Sequence, residues 1–329
     1  MPRLQLWYGR KAIRETGGKE HVQPHDQEIH VLHVEVSVIQ IDLLMRCTLD
    51  SIFKVGFGIG LNCLEGSSKE GTAFMKAFDE STALSYFRYV DPFWKLKRFL
   101  NLDSEASLKQ YVKVIDDFVH QVIMSKRKLL EEQKDVNDKE DILSRHQCKY
   151  TLMVLLPAQQ EPSNTGKVVQ EVRDVVGNHI GKAKIDEFVA NITDATLEQM
   201  HYLHAALTET LRLYPAVPIS EKRRWSMTYA MGRMPYIWGK DADDFRPERW
   251  LNNGIFQPES PFKFVAFHVG PRICLGKDFA YQQMKIIAIA LLCFFRFKLA
   301  DETKSVTYTT MFTLHIHGSL PMLAVPRTA

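Results

Sequence analysis

The sequence predicts a mainly α-helical chain with small β sheets. Three stretches predict the helices: Leu108 to Leu130, Leu197 to Leu213 and Asp278 to Phe295 repeat apolar residues at helical spacing. The tail from Val306 to Val325 reads instead as strands, turning near Gly318-Ser319. With 329 residues, 45% hydrophobic and 25% charged, the composition is that of a globular protein of one large or two small domains. The net charge of +3, with no basic stretch interleaved with aromatics, argues against a nucleic-acid platform. Cys47, Cys63, Cys148, Cys274 and Cys293 are odd in number and scattered, which suits reduced thiols better than a disulfide framework.

Taken in order, residues 1–40 form a divergent segment whose polar start (Arg10, Lys11, Arg14, Glu15) offers no apolar run for a signal or membrane anchor. His30 to Val36 alternates weakly as a short strand, its histidines placed as polar edge positions; nothing completes a zinc-type ligand set. From Ile41 the pattern turns helical through Leu43, Leu44, Cys47, Ile52 and Val55, until Gly56 and Gly58 break it. Phe74, Phe78 and Leu84 continue an amphipathic stretch. Phe93, Trp94, Leu96 and Phe99 either face a lipid or an apolar channel or pack between helices. The helix from Leu108 marks one face with Tyr111, Ile115, Phe118 and Val122, and it ends in Lys126, Arg127 and Lys128, as suits a helix C-terminus. Val168 to Gly177 is a further helix.

On the helix Leu197 to Leu213, Glu209 and Arg212 stand at i and i+3 and share a face, so they can pair. His201 and His204 on the same helix read as core or edge histidines before they read as ligands. Farther on lies Phe267-His268-Val269-Gly270-Pro271-Arg272-Ile273-Cys274-Leu275-Gly276, just ahead of the helix Asp278 to Phe295. The positive end of that helix favours thiolate at Cys274, and a thiolate so placed suits holding haem iron from one side. Gly270 lets the loop turn, and Gly276 lets the first helical turn lie close to a flat macrocycle. Arg272 matches a propionate, and Phe267 shields the sulfur. The blander reading is a buried structural cysteine in a glycine-rich turn.

Phe-x-x-Gly-x-Arg-x-Cys-x-Gly resembles the haem-binding signature of the cytochrome P-450 family, the haem-thiolate monooxygenases. Leu49-Asp50-Ser51-Ile52-Phe53-Lys54-Val55-Gly56-Phe57-Gly58 resembles its plant branch of long-chain fatty-acid omega-hydroxylases. The resemblance implies a partial domain of that fold over 41–329, with the haem-binding part at 197–329. The N-terminal part and most of the central helix are absent from the pattern. It implies Cys274 as axial ligand of haem b, with Phe267, Gly270, Arg272 and Gly276 around the cofactor. Glu209, Arg212 and Arg249 become a structural lock, and Met311, Phe312, Thr313 and Leu314 a turn lining the substrate pocket. It further implies a reductase partner passing electrons from NADPH, and a long-chain fatty acid that receives one oxygen atom from O2.

Two departures stand against the pattern. His146 to Pro157 lacks the small-Gly-x-acid-Thr-Thr motif of the central helix; Thr151 has neither acidic nor glycine neighbours, so no catalytic acid–threonine pair is assigned. Glu221-Lys222-Arg223-Arg224-Trp225 is a basic junction expected to leave no room for the strands that border a substrate. The resemblance places relatives at the cytosolic face of the endoplasmic reticulum membrane, whereas for a chain without an anchor the expectation is the cytosol or a location left open. The second reading is therefore a non-catalytic, truncated remnant of the family.

Overall fold

The computed structural model describes residues 37–39, 50, 53, 63, 69–132, 162–177, 188, 191–218, 220–222, 224–301, 303, 306–310, 312–317 and 322–327. The strand expected over His30 to Val36, most of the helical pattern from Ile41, the stretch His146 to Pro157, and Met311 lie outside these residues.

The short strand β1 (Ser37–Ile39) precedes α1 (Lys69–Phe87), α2 (Trp94–Leu100) and α3 (Asp103–Glu132). Phe74 and Phe118 stack at 4.4 Å between α1 and α3, with Phe53 edge-on to both rings. The Arg88 guanidinium ties the end of α1 to the start of α3, reaching both Glu105 oxygens at 2.7 Å, and holds that carboxyl below its usual range. Between the two helices α2 buries no residue, and Asn101 in the left-handed region ends it. Phe93, Leu96 and Phe99 are exposed, Phe99 by 85%, so packing between helices does not account for this apolar run.

The main core is built by α4 (Pro162–Val176), α5 (Asp194–Glu198), α6 (His201–Leu213) and α9 (Lys277–Phe294). The helix expected as one piece from Leu197 to Leu213 is broken between α5 and α6. The break has a physical cause in α4: Glu171 accepts the N–H groups of Tyr202 and Leu203 at 2.6 and 2.8 Å, capping a fresh helix start. Helix α9 is buried nearly all round from Ala280 to Cys293, as its apolar run from Ile286 to Cys293 requires, and the buried Lys285 ammonium donates to the Leu197 carbonyl at 2.6 Å. At Phe295 the chain becomes extended and β6 (Phe295–Leu299) begins at once.

Strand β6 pairs with β9 (Met322–Pro326), which pairs on its other side with β1, all antiparallel. The basic junction expected to hold no strands folds into a hairpin of its own, β2 (Ser220–Lys222) with β3 (Arg224–Ser226), Glu221 opposite Trp225. Its strands are mostly charged or polar, with Lys222 opposite Arg224, so apolar periodicity does not register them. Short helices α7 (Thr228–Met231) and α8 (Pro235–Trp238), the pair β4 (Leu251–Asn252) and β5 (Ile255–Phe256), and the hairpin β7 (Tyr308–Thr310) with β8 (Leu314–Ile316) complete the described elements.

Candidate functional site

Glu209 is fully buried on α6, where an unsatisfied carboxylate would cost several kcal/mol. Both its oxygens are taken. Arg212 reaches them in a fork, Nε to Oε2 at 2.7 Å and Nη2 to Oε1 at 2.8 Å. Arg249, brought in by the 3-10 turn Pro247–Trp250, donates Nε to Oε1 at 2.8 Å. The Arg246 backbone N–H adds a fourth donor at 2.9 Å and the Trp250 indole a fifth at 2.8 Å. Arg212 spends its remaining protons on the carbonyls of Gly232, Ala242 and Asp244. The structure thus brings the expected Glu209, Arg212 and Arg249 together and adds Trp250, which no motif spacing had singled out.

Trp250 carries this network to the cysteine loop. Its ring meets Phe264 edge-on at 5.1 Å, three residues before Phe267. The loop is pinned by its own backbone: the Cys274 N–H donates to the Phe267 carbonyl at 2.9 Å, and the Ile273 N–H to the Gly270 carbonyl at 3.0 Å. Gly270 has φ +71°, a conformation that disfavours any side chain, and His268 before it has φ +62°. A 3-10 turn (Gly270–Arg272) follows, then Gly276 stands at the N-cap of α9. The Phe267 ring leans on Tyr281 of α9 at 5.4 Å.

Cys274 is half-buried, unlike the enclosed Cys63 and Cys293, which disposes of the buried structural cysteine. Beside it Ile273 and Leu275 are 44% and 70% exposed. A half-open thiol at a helix N-terminus, flanked by uncovered apolar side chains, is the surface a flat apolar macrocycle with a central metal would cover. The residues present fit haem. Of the expected pocket residues, Thr313 and Leu314 are buried, while Phe312 packs edge-on against Tyr86 of α1 at 5.7 Å and Tyr89 just beyond it at 6.0 Å.

The family profile described as Cytochrome P450 matches residues 148–229 and 225–320, the second stretch containing the whole cysteine loop. The chain belongs to the cytochrome P450 family. It is 40% identical to Cytochrome P450 704C1 of Pinus taeda, over 89% of this chain and 68% of that protein. It is 37% identical to Cytochrome P450 704B1 of Arabidopsis thaliana, over 84% and 67%, and 33% identical to Cytochrome P450 86B1 of the same plant, over 80% and 56%. The chain thus spans about two thirds of the length of its P450 relatives, or less. Membership carries with it the monooxygenase class and haem as cofactor. The two matched stretches overlap at residues 225–229, at the end of the β2–β3 hairpin.

Behind the P450 loop, His204 stacks on Tyr281 at 4.2 Å and 13°, with Phe256 on its other side at 4.2 Å. Burial pushes the His204 imidazole down to about 3, with Lys285 and Lys277 adding to the effect. The folded protein therefore holds His204 neutral while the unfolded chain takes up a proton below about pH 6.5. Stability is lost as pH falls from that value toward 3, by about 1.4 kcal/mol per pH unit from this group. Urea unfolding at pH 7 and pH 5 should show a loss of about 2 kcal/mol that His204→Phe, which keeps the stacked ring, removes.

Proposed function

We propose that this P450 chain binds haem through Cys274 and acts as a monooxygenase on long-chain fatty acids. The cysteine loop carries the reading: a half-open thiol at the head of α9, anchored through Phe264 and Trp250 to the buried Glu209 network. Bound haem would supply O2 activation and insertion of one oxygen atom into a C–H bond. This chain's own part is to hold the thiolate. The Phe267 carbonyl fixes the Cys274 N–H, and Ile273 and Leu275 keep water from the sulfur once covered. Arg272, on the loop's 3-10 turn, is assigned to a propionate.

Phe312, Thr313 and Leu314, with Met311, are assigned to the substrate side, where an apolar chain suits the aromatic surroundings of Phe312. The fatty-acid assignment rests on the resemblance of residues 49–58 and on relatives that are plant cytochromes P450. Electrons would come from NADPH through a reductase, at the cytosolic face of the endoplasmic reticulum. Among the described residues no helix is long and apolar enough to cross a membrane. Residues 41–329 are assigned as the P450 domain and 197–329 as its haem-binding part.

One observation favours a second reading, a non-catalytic truncated remnant that binds haem weakly or not at all. The sequence His146 to Pro157 contains no acid–threonine pair to pass protons toward bound oxygen. Both readings meet one experiment. Haem-reconstituted, reduced protein should give a long-wavelength Soret band with carbon monoxide that Cys274→Ala abolishes. A band that survives the substitution would refute the ligand assignment. Fatty-acid hydroxylation assays on the same preparation separate the two readings.

A further inference from the structure

A cavity of about 370 Å3 lies where α5, α6 and α9 meet, within the range of small-molecule sites. Its outer residues Asp194, Glu198 and Asp278 are exposed, so it opens to solvent. Lys285 of α9 lines its inner wall and is itself buried. Among the described residues this amine has no ion-pair partner; its one acceptor is the Leu197 carbonyl at 2.6 Å. We propose that Lys285 is a reactive amine, and that in this cavity it takes an uncharged aliphatic aldehyde as a reversible imine.

The groups around Lys285 leave its amine free to react. From α4, Glu171 has both oxygens committed to the N–H groups of Tyr202 and Leu203. From α5, Glu198 stands out in solvent. From α6, His201 shares the cavity wall and His204 is held uncharged, while on α9 the Tyr281 hydroxyl is paired with Thr208 at 2.9 Å. Burial therefore outweighs the pull of Glu171 and Glu198 and pushes the Lys285 ammonium down to about 8. An ordinary lysine titrates near ~10.4, so at neutral pH Lys285 presents the free base on the order of a hundredfold more often. The Leu197 carbonyl can hold one N–H of the neutral amine, which leaves the lone pair for a carbonyl carbon. That pair forms the C–N bond while the aldehyde oxygen receives one amine proton; the hydroxyl so formed then leaves with the other as water. Nothing is oxidised or reduced. An anionic aldehyde would meet the carboxylates of the rim, whereas Leu197 and Phe256 give an alkyl tail apolar neighbours. The reaction needs no haem, so it stands apart from the monooxygenase reading.

The test treats the full chain at neutral pH with limiting propanal and sodium cyanoborohydride, which fixes an imine as a propylamine. Peptide mass mapping then reads the rate at each lysine. Lys285 should be labelled about tenfold faster, or more, than the exposed Lys95 and Lys109. Its lead should shrink as the pH approaches about 10, where ordinary lysines lose their protons too. In unfolding urea the lead should vanish, because it belongs to the folded cavity. Labelling of Lys285 no faster than that of Lys95 and Lys109 would overturn the inference. So would a lead undiminished at high pH, or one that persists in urea.

Discussion

Replacing Glu209 by alanine should cost about 3–5 kcal/mol, the usual range for breaking a buried ion pair from one side. That is a large share of the ~5–15 kcal/mol that holds a typical domain together. The substitution leaves Arg212 charged with its side chain sealed from solvent, and it orphans the Arg246 N–H and the Trp250 indole as well. Glu209→Gln should recover little. Its amide keeps one acceptor oxygen but turns an NH2 toward donors that already point inward. Nor should Glu209→Leu paired with Arg212→Leu be neutral, because the Gly232, Ala242 and Asp244 carbonyls would lose their guanidinium. Urea unfolding monitored by far-ultraviolet circular dichroism measures these losses. A Glu209→Ala protein as stable as the parent would mean that the network is not assembled as described.

Gly232→Ala should be the next most damaging, first for a steric reason. A methyl group there would overlap the Arg212 backbone oxygen, with the Arg212 carbonyl carbon at 3.1 Å and its Cγ at 3.6 Å. The backbone at Gly232 is right-handed, so alanine suffers no conformational penalty. The obstacle is backbone at the end of a buried helix, which yields far less than a flexible side-chain tip. Overpacking of this kind costs about 1–3 kcal/mol and occasionally more. The Gly232 carbonyl also accepts from Arg212, so any retreat of the loop loosens the same network. A melting temperature within a degree of the parent would refute the close approach.

The site was more legible in the sequence than the fold around it. Glu209 and Arg212 are readable because residues at i and i+3 share a helical face, whereas Arg249, 40 residues on, was expected only through the family resemblance. Cys274 is readable because its neighbours answer to one chemistry. Trp250 left no such trace, since an indole after an arginine has no period of its own. The break between α5 and α6 is invisible locally because its cause, Glu171, sits on another helix 31 residues earlier. Strand β6 hides because α9 runs into it at Phe295 with no turn residue between them, so the short alternation Phe295 to Leu299 is read as the end of the helix. Hairpin β2–β3 hides because its six residues are charged or polar but for Trp225, and such residues give a weak strand signal.

The position of β9 between β6 and β1 bears on how the protein is made. Val38 pairs with Leu323, so the three-stranded sheet cannot close until almost the whole chain has left the ribosome. Until then β1 and β6 both wait with open hydrogen-bonding edges, which are templates for pairing with other chains. Arg327, just past β9, then fastens the finished sheet to the helix before it, its guanidinium donating to the Leu292 carbonyl at 2.8 Å. Ribosome stalling before Met322, or a stop codon there, would leave these edges open for good. The product would be an aggregation-prone chain whose cysteine loop is intact in sequence.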